Sequence, residues 1–597
     1  MRSDLAIGMA GSGGDGIVSA GEFLITAAAL EGYHAIMTKS FGPQIRGGES
    51  SCRLRLSTEK VFNAGGTLDV AVALNWEDFL RFGAELPVGG NTIVIYESKT
   101  GVAPDKIPLV GVKPAVVLAV PIGEMSRKAA ATDKAKNAVV LGLLAGWFGI
   151  APQSILAGLH KKLAKKGQEV FEASERAFAS GVEYTHAHPL SDDLRMSPAI
   201  DGKGSKLLTD GNDMCAAAAL FAGCTFFGGY PITPSSEIMH FLSREIWKYG
   251  GTIMQAEDEI AGIGAVVGAS FAGKKALTAT SGPGMSLKTE MLGLATIAEL
   301  PLVCVNVQRG GPSTGIPTKS EQSDLFAAAF SSHGDSMRPV LAPVSVPDVF
   351  GITVEAFNIA EQYQTPVIVL SDQEIGHRKE TVDPIDTTAF KLIERRAPTK
   401  SELENYVRFR VTETCISPIS HPGMAGGNYL ASGIEHNEAG APTAKGEIHA
   451  KMNEKRIRKL NPLKGRRDLF IFEGDMDAPL ALISWGSVAG IATEALHMAR
   501  AEGIKAKLLI PKLLFPISEE IFNEFLASVK MGLVVEQSYQ AQLYHLIRMY
   551  VDVPRGVEFL AKSGSNPILA TEVLERLRSL LRSLQRQVKN EPEPEFG

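Results

Sequence analysis

Short apolar runs, each followed by a polar or helix-like stretch, recur along most of this chain. Near the N-terminus one such run, residues 5–10, precedes a glycine-rich turn and an apolar, helix-like stretch from Ile17 to Leu30. This alternation of strand, turn and helix is typical of an α/β sheet. We therefore predict an α/β protein. The same pattern predicts further strands at residues 34–37, 69–74, 92–96, 115–120, 276–279, 302–307, 366–370, 480–485, 506–510 and 531–536.

Changes in composition divide the chain into three predicted α/β domains. The first two are separated by a stretch that mixes His, Pro, Asp, Lys and Gly without apolar periodicity, which predicts a linker. A polar region with little strand character predicts an extended connector arm before the third domain, and the acidic, proline-containing C-terminus predicts a disordered tail. The predicted boundaries are domain 1–190, linker 191–210, domain 211–394, connector arm 395–470, domain 471–580 and tail 581–597.

The longest apolar run, residues 214–227, is shorter than the ~20 residues that a bilayer crossing needs. It predicts a buried helix, which Asn212 or Asp213 can cap. The N-terminus lacks the long apolar stretch of a secretion signal. We therefore expect a cytoplasmic protein without a membrane segment.

Composition narrows the possible partners and cofactors. The 597 residues are 45% hydrophobic, enough for several full-sized cores, and the net charge is only −6. Because Lys and Arg form no clustered stripe, nucleic acid is not expected as a partner. The five cysteines are scattered without a CxxC pair, so no disulfide framework, zinc site or iron–sulfur cluster is predicted on this chain. The carboxylates and histidines near residues 435–449 match no helix-borne zinc pattern and are assigned to interdomain or intersubunit contacts.

The first candidate site is the glycine-rich turn after the first strand. Between a strand and a helix, backbone N–H groups of such a turn can cradle a phosphate, although the spacing alone is equally consistent with a tight turn. A dinucleotide site would also need an acidic residue about 20 residues further on. The second predicted strand instead leads into Lys39 and Ser40, and a lysine there favours a phosphate over a ribose. The turn has the GxGxxG spacing, formed by Gly11, Gly13, Gly14 and Gly16.

The second candidate site begins with a proline-stiffened turn lined by hydroxyls, residues 230–237, with the sequence YPITPSSE. One helix later, Glu259 enters a stretch made mostly of Gly, Ala, Val and Ile, which indicates a buried carboxylate. The turn also suits an ordinary helix N-terminus. Likewise, Glu257 or Asp258 can be the carboxylate that favours the helix dipole.

Two further segments extend this second site. The sequence TSGPG at residues 280–284 follows a predicted strand, and its glycines let the backbone approach a flat ring closely, although an ordinary turn explains the same residues. Arg309 follows the strand predicted at 302–307, where a cation must face a site or find a carboxylate. Arginine is well suited to clamp a substrate carboxylate through two hydrogen bonds. The alternative is a structural ion pair with Asp324 or Glu321.

Taken together, these segments resemble the α subunit of 2-oxoacid:ferredoxin oxidoreductases, most closely the 2-oxoglutarate type with a γ domain fused at its N-terminus. The resemblance runs from about Asp4 to about Leu577. It implies that domain 1–190 is the γ-type domain that helps to bind coenzyme A. Domain 211–394 would bind the pyrimidine of thiamine diphosphate, and domain 471–580 would resemble the transketolase C-terminal domain.

The resemblance also implies roles for individual residues. Thr233 would lie at the reactive carbon of thiamine diphosphate, Glu259 would contact its pyrimidine ring, and Arg309 would hold the 2-oxoacid carboxylate. Lys319 is a candidate for a distal substrate carboxylate. Further implied cofactor contacts are Pro231, Ile232, Ser281, Gly282 and Pro283, and the implied coenzyme A contacts are Gly11, Gly13, Gly14, Gly16, Lys39 and Ser40.

The implied reaction is the reversible, coenzyme A-dependent oxidative decarboxylation of a 2-oxoacid with reduction of ferredoxin. A β subunit would carry the diphosphate and Mg²⁺ site and a [4Fe-4S] cluster, in a dimer of αβ heterodimers. The fused γ domain and Lys319 favour 2-oxoglutarate, giving succinyl-CoA and CO₂, while pyruvate and branched-chain 2-oxoacids stay open. The alternatives of another class are a non-catalytic adaptor and a nucleotide-binding dehydrogenase.

Overall fold

The computed structural model describes residues 1–42, 48–163, 167–199, 204–563 and 567–590. Residues 591–597 of the predicted tail lie outside these ranges. Within them the chain forms two compact units, one made of residues up to 210 with 377–385, and one made of residues 211–376 with those from 386 onward. No helix in the described ranges is long and apolar enough to cross a membrane.

The strands alternate with helices along most of the chain, as the apolar pattern predicts. In chain order the strands are β1 Asp4–Gly11, β2 His34–Phe41, β3 Ser50–Ser57, β4 Leu68–Ala73, β5 Val88–Glu97, β6 Val116–Val120, β7 Leu207–Thr209, β8 Phe226–Gly229, β9 Thr252–Gln255, β10 Ala276–Thr280, β11 Leu302–Gln308, β12 Val340–Leu341, β13 Pro366–Asp372, β14 Lys379–Val382, β15 Phe470–Gly474, β16 Leu480–Ser484, β17 Lys507–Pro511, β18 Leu513–Phe515, β19 Met531–Glu536 and β20 Val557–Ala561.

The α-helices alternate with these strands and also occur in the connector arm. They are α1 Ile17–Glu31, α2 Trp76–Arg81, α3 Ile122–Ala130, α4 Lys136–Phe148, α5 Pro152–Leu163, α6 Gln168–Ala187, α7 Gly211–Phe221, α8 Ser236–Glu245, α9 Glu259–Phe271, α10 Gly282–Ile297, α11 Leu325–Phe330, α12 Val346–Tyr363, α13 Gln373–His377, α14 Lys400–Glu404, α15 Gly446–Arg458, α16 Ala489–Ala501, α17 Glu519–Leu526, α18 Gln542–Arg548 and α19 Ala570–Asn590.

The first unit is built on an eight-stranded sheet in the order β6-β5-β4-β1-β3-β2-β14-β7. Its first four strands are parallel, and β3 joins β1 to β2 through antiparallel pairing. Gly11 at the end of β1 and Phe41 at the end of β2 both pair with Ser50 of β3. The glycine turn and the end of β2 therefore lie at the same end of the sheet, with β3 between them.

Two strands of this sheet correct the predicted domain boundaries. Strand β7 comes from the predicted linker, and β14 comes from within the predicted domain 211–394. Strand β14 pairs with β2 and with β7, so residues 377–385 return to the first unit. The sequence did not show this return because β14 is only four residues long and its pairing partners lie far away along the chain.

The second unit contains a seven-stranded sheet in the order β18-β12-β13-β11-β10-β8-β9. All neighbouring pairs except β18–β12 are parallel, so the carboxyl ends of β8, β10, β11 and β13 lie along one edge. Strand β18 comes from the predicted third domain. That predicted domain is therefore not self-contained, because one of its strands completes a sheet formed by residues 211–394.

A five-stranded sheet in the order β15-β17-β16-β19-β20 forms the rest of the second unit. Helices α16 and α19 supply buried side chains to its core. Helix α19 continues to Asn590, so residues 581–590, predicted as tail, are helical instead. The buried residues Leu577, Leu580 and Leu584 follow a helical spacing, and this continuing apolar stripe explains the extension.

The apolar run at residues 214–227 also differs from its prediction. Helix α7 ends at Phe221, and Gly223 adopts a left-handed conformation with φ of 88° before β8 begins. Asn212 lies inside the first turn of α7 and donates from its side chain to the carbonyl of Pro234 at 2.7 Å. It therefore links the helix to the turn after β8.

The connector arm at residues 395–470 is fixed to the seven-stranded part of the unit by a buried ion cluster. The carboxylate of Glu299 accepts from Lys455 and from Lys459, and the guanidinium of Arg408 donates to the Glu299 carbonyl at 2.8 Å. Burial alone would raise the pKa of Glu299, but the three cations outweigh it and hold the pKa well below its usual value. The ammonium groups depend on this one carboxylate for compensation.

We expect the substitution Glu299→Gln to lower the free energy of unfolding by about 3–5 kcal/mol, because it leaves two buried ammonium groups without a counter-charge. The matched control is Glu454→Gln on helix α15, whose partner Arg458 is exposed. That variant should leave stability nearly unchanged, because an exposed ion pair contributes little. Urea unfolding measures both, and equal losses in the two variants would contradict the role of the cluster.

Candidate active site

The motifs of the second candidate site meet at the carboxyl edge of the seven-stranded sheet. The turn at residues 230–235 follows β8, Ser281 follows β10, and Arg309 follows β11. Because β8, β10 and β11 are parallel, their ends lie side by side. Helix α9 brings Glu259 to the same edge, since its first turn follows β9. Ligands commonly bind at this edge of α/β sheets.

Glycines allow helix α9 to pack directly on strand β8. A Cβ atom at Gly228 would lie 2.8 Å from the carbonyl oxygen of Gly262, and one at Gly262 would lie 3.0 Å from the Cα of Gly229. A real side chain at Gly228 or Gly262 would push the helix away from the strand. The approach of α9 thus explains Gly228, whereas a Cβ atom at Gly229 would lie 3.0 Å from the ring of Phe227.

Glu259 is the buried carboxylate of its segment, whereas Glu257 and Asp258 are exposed. Asp258 is the N-cap of α9, and its side chain accepts from the amide of Ala261 at 2.8 Å. With Asp258 as the cap, Glu259 points inward as the first residue of the helix. The structure thus distinguishes the three neighbouring acids, which the sequence left as alternatives for the buried carboxylate.

The TSGPG segment lies directly against Glu259. A Cβ atom at Gly284 would lie 2.7 Å from the Cγ of Glu259, so only glycine fits between this side chain and the start of α10. Ser281 is the N-cap of α10 but makes no capping hydrogen bond through its side chain. Its hydroxyl is buried without a hydrogen-bond partner within the described residues.

Lys288 is a member of the site that sequence reasoning missed. It is fully buried, and its ammonium donates to the carbonyl of Glu259 at 3.0 Å. Burial lowers the pKa of Lys288, while nearby Cys304, Glu259 and Asp258 oppose that effect. Its spacing of four residues from Gly284 and from Leu292, both on the buried face of α10, was the available signal.

Arg309 contacts the turn after β8. One of its terminal nitrogens donates to the carbonyl of Thr233, while its Nε is buried without a hydrogen-bond partner within the described residues. Burial lowers the pKa of Arg309, and the charge of Asp324 partly offsets this effect. The residue therefore retains donor capacity at the site. The peptide bond between Thr233 and Pro234 is cis.

Asn306 and Asp324 lie behind Arg309. The Asn306 amide donates to Asp324 at 3.0 Å, but its carbonyl oxygen Oδ1 is buried without a partner within the described residues. Burial raises the pKa of Asp324, and the hydrogen bond from Asn306 opposes that effect. Buried polar atoms are normally hydrogen-bonded. The unpartnered atoms of Ser281, Asn306 and Arg309 at one sheet edge fit a bound group with complementary polar atoms.

The loop that carries Lys319 folds back onto the end of β11. The amide of Gly310 donates to the carbonyl of Lys319 at 2.9 Å, and the amide of Ile316 donates to the carbonyl of Gly310 at 2.8 Å. Because Gly310 follows Arg309 in the chain, this pairing places the backbone of Lys319 beside the arginine. The side chain of Lys319 is half-buried.

In the first unit, the glycine turn is surrounded by carboxylates that the sequence analysis did not assign. The Ser12 amide donates to Asp15 at 3.0 Å, and its hydroxyl donates to Asp78 at 2.6 Å. Lys136 pairs with Asp15 at 3.2 Å. Gly13 and Gly14 are exposed beside these groups, and Lys39 and Ser40 lie across β3 from them.

Glu435 and Glu438 of the connector arm pair with basic side chains of the same arm, whereas His436 hydrogen-bonds backbone carbonyls. Glu435 accepts from Arg456 and His449, which hold the pKa of its carboxyl at about 2 although burial would raise it. Across the described ranges, no group of three or more His, Cys, Asp or Glu residues is arranged to hold a metal ion. The five cysteines are buried and unpaired.

Three family models match consecutive parts of the chain. Residues 6–184 match pyruvate ferredoxin/flavodoxin oxidoreductase, and residues 217–455 match the thiamine diphosphate-binding domain of pyruvate flavodoxin/ferredoxin oxidoreductase. Residues 478–573 match core domain II of pyruvate:ferredoxin oxidoreductase. The thiamine diphosphate-binding match includes the whole carboxyl edge described above.

Similar proteins carry related names. The α subunit of 2-oxoacid:ferredoxin oxidoreductase 2 from Aeropyrum pernix is 29% identical, with 98% of this chain and 99% of that protein covered. The 2-oxoglutarate synthase subunit KorA of Methanothermobacter marburgensis is 37% identical over 62% of this chain and 98% of its own length. The 2-oxoglutarate oxidoreductase subunit KorA of Mycobacterium tuberculosis is 34% identical over 84% of this chain and 81% of its own length.

A solved structure supports the same relationship and confirms the predicted fold class. The 2-oxoglutarate:ferredoxin oxidoreductase from Magnetococcus marinus, with 2-oxoglutarate, coenzyme A and succinyl-CoA bound, is 36% identical to this chain. The match has a TM-score of 0.91 and covers 97% of this chain and all of that one. With a buried carboxylate, a glycine-lined edge and a thiamine diphosphate-binding domain in place, this chain belongs to the 2-oxoacid:ferredoxin oxidoreductase family, as an α subunit of an oxidoreductase.

Proposed function

We propose that this chain is the α subunit of a 2-oxoglutarate:ferredoxin oxidoreductase, which converts 2-oxoglutarate and coenzyme A into succinyl-CoA and CO₂ and passes electrons to ferredoxin. The observation that carries the proposal is the carboxyl edge of the seven-stranded sheet. There Glu259 is buried against Gly284, and Arg309 and Ser281 keep unpartnered polar atoms. The names of similar proteins support the choice of 2-oxoglutarate.

The residues at this edge fit the pyrimidine half of thiamine diphosphate. When bound, this cofactor supplies a nucleophilic carbon and an electron sink for decarboxylation. Glu259 would share a proton with a pyrimidine nitrogen, which a carboxyl at a buried helix start is placed to do. The glycines of the TSGPG segment leave room for a flat ring. The remaining proposed cofactor contacts are Pro231, Ile232, Thr233, Ser281, Gly282 and Pro283.

Arg309 and Lys319 would bind the two carboxylates of the substrate. A guanidinium at the end of β11 can donate two parallel hydrogen bonds to the carboxylate next to the keto group. The Thr233 hydroxyl would bind the keto acid beside it, since Arg309 already contacts the Thr233 carbonyl. Lys319, whose backbone lies beside that of Gly310, would bind the distal carboxylate of a dicarboxylic substrate.

The first unit would bind coenzyme A at the end of its sheet. The exposed Gly13 and Gly14 can offer backbone amides to a phosphate, and Lys39 can add a positive charge from the neighbouring end of β2. Gly11 and Gly16 shape the turn, and Ser40 follows Lys39. Asp15 and Asp78 restrict where a phosphate can lie, because like charges repel.

A β subunit would complete the enzyme. The side chains of Tyr230, Ile260 and Leu287 are 40%, 47% and 48% exposed around the edge that holds Glu259, an apolar surface that a partner can cover. The β subunit would supply the diphosphate and Mg²⁺ site and a [4Fe-4S] cluster that reduces ferredoxin, in a dimer of αβ heterodimers. The cysteines of this chain are scattered and buried, in keeping with a cluster on another chain.

We expect Glu259→Gln to lower turnover by about 10²–10⁴-fold, the typical contribution of a positioned acid–base group, while the complex still assembles. Viologen reduction by the purified complex measures turnover, and gel filtration measures assembly. Glu257→Gln is the matched control, because that carboxylate is exposed two residues earlier. Near-normal turnover in Glu259→Gln would refute the proposed role.

We expect Arg309→Lys to raise the KM for the 2-oxoacid by roughly 10–100-fold, because an ammonium cannot reproduce the paired hydrogen bonds of a guanidinium. The KM for coenzyme A should stay the same, since the proposed coenzyme A contacts are elsewhere in the chain. Arg244→Lys on the exposed face of α8 serves as the control. A KM that is unchanged in Arg309→Lys would contradict the proposal.

Substrate choice is tested with the co-purified native complex by comparing 2-oxoglutarate, pyruvate and 2-oxoisovalerate in the presence of coenzyme A. We expect a strong preference for 2-oxoglutarate. Lys319→Met should lower kcat/KM for 2-oxoglutarate about tenfold, the effect of losing one charged hydrogen bond, and should leave pyruvate unaffected. A preference for another 2-oxoacid would refute the choice of 2-oxoglutarate but not the reaction. No activity with any of the three would refute the enzyme proposal.

A further inference from the structure

Glu536 is a buried carboxylate that the proposed reaction does not use. It is the last residue of β19 in the five-stranded sheet, and it is fully buried. Its carboxylate accepts from the Ser538 hydroxyl at 3.1 Å, from the Leu543 amide at 3.0 Å and from the Tyr544 amide at 3.1 Å. Burial raises the pKa of Glu536 to about 7, and these donors oppose that effect.

These hydrogen bonds fix the loop between β19 and α18. Ser538 donates to Glu536 and also accepts from the amide of Gln542 at 3.2 Å. The first turn of α18 is held through the amides of Leu543 and Tyr544. Both ends of the loop therefore depend on one carboxylate.

The same loop holds a second segment, residues 322–326, from two sides. The amide of Gln322 donates to the carbonyl of Gln537 at 2.7 Å, and the amide of Gln537 donates to the side chain of Gln322 at 2.8 Å. The side chain of Gln542 donates to the carbonyl of Ser323 at 2.7 Å and accepts from the amide of Phe326 at 2.9 Å. Four hydrogen bonds thus fix this short segment, three of them through its backbone.

Asp324 lies in the middle of that stretch and reaches the carboxyl edge. Its side chain accepts from Asn306, and its amide donates to the side chain of Gln308 at 3.0 Å. A Cβ atom at Gly282 would lie 3.3 Å from an oxygen of Asp324. Its charge also acts on Arg309, whose pKa it helps to hold up against burial.

We propose that Glu536 is a positioning residue for the 2-oxoacid site: through Gln537 and Gln542 it fixes residues 322–326, and with them the carboxylate of Asp324 near Arg309. It touches neither substrate nor cofactor itself. The inference rests on the proposed function only for its effect on substrate binding. The mechanical part, that Glu536 holds residues 322–326, is a property of this chain alone.

The test is Glu536→Gln in the full chain, purified with its partner subunit. Glutamine keeps the size of the side chain, but its NH₂ group would face an amide of Leu543 or Tyr544, so one hydrogen bond becomes a contact between two donors. We expect the KM for the 2-oxoacid to rise about tenfold, as the loss of a buried hydrogen bond implies. The kcat and the KM for coenzyme A should change less than about twofold.

The matched control is Glu558→Gln on the neighbouring strand β20, where the carboxylate is exposed and pairs with Arg576. This variant should leave all three kinetic constants unchanged. Gln542→Ala should raise the KM for the 2-oxoacid as Glu536→Gln does, and the double variant should add little, because both act through the same connection. If the increases in KM of the two single variants add in the double variant, the proposed connection through Gln542 is wrong. An unchanged KM in Glu536→Gln would also overturn the proposal.

Hydrogen–deuterium exchange separates this inference from the proposed function. In Glu536→Gln the amides of Gln322 and Phe326 should exchange at least about tenfold faster than in the unmodified complex, since their acceptors lie on residues 537 and 542. Unchanged exchange overturns the inference even if the enzyme is active. If the variant exchanges faster and the unmodified complex has no activity with any 2-oxoacid, the positioning role is supported and the proposed function is refuted.

Discussion

The candidate site depends on one constraint, the close approach of helix α9 to strand β8. Gly228 and Gly262 let the two backbones touch, and this contact sets how far the first turn of α9 reaches along the carboxyl edge of the sheet. Glu259 is the first residue of that helix, so its position follows from the contact. Gly284 completes the arrangement from the first turn of helix α10, because any side chain there would displace the carboxylate.

The buried cation next to Glu259 binds the backbone of that residue and not its carboxylate. Lys288 donates to the Glu259 carbonyl, so a cation stabilises the partial negative charge of that oxygen without forming a direct pair with the carboxylate. The arrangement leaves the Glu259 side chain available for a ligand. A direct ion pair would have satisfied it internally, as happens at Glu299, where two ammonium groups bind the carboxylate and the cluster only fixes the connector arm.

The two sheets of the second unit are linked by one strand and one loop. Strand β18 extends the seven-stranded sheet, and the loop after β19 holds the segment that carries Asp324. The proposed positioning role of Glu536 rests on this link, because the residue holds that segment without lining the carboxyl edge. A buried carboxylate such as Glu536 is effective in this role, because it accepts several hydrogen bonds at once and unpaired buried donors are costly.

By itself, the sequence determined the α/β class and about half of the strands, and it predicted where a site would lie. Apolar runs of strand length mark buried strands, and polar residues directly after them, such as Thr233, Ser281 and Arg309, must meet at one edge when the strands are parallel. It also indicated a buried acid, although only the cap formed by Asp258 distinguished Glu259 from its neighbours.

Only the tertiary structure decided which distant segments pair. The return of β14 to the first sheet, the placement of β18, the burial of Lys288 under Glu259 and the contact of Gln542 with Phe326, 216 residues apart, were not visible in the sequence. Periodicity records which face of an element is buried. Pairing between distant segments is made largely by backbone hydrogen bonds, which are chemically alike at every residue and therefore leave little trace in the side chains.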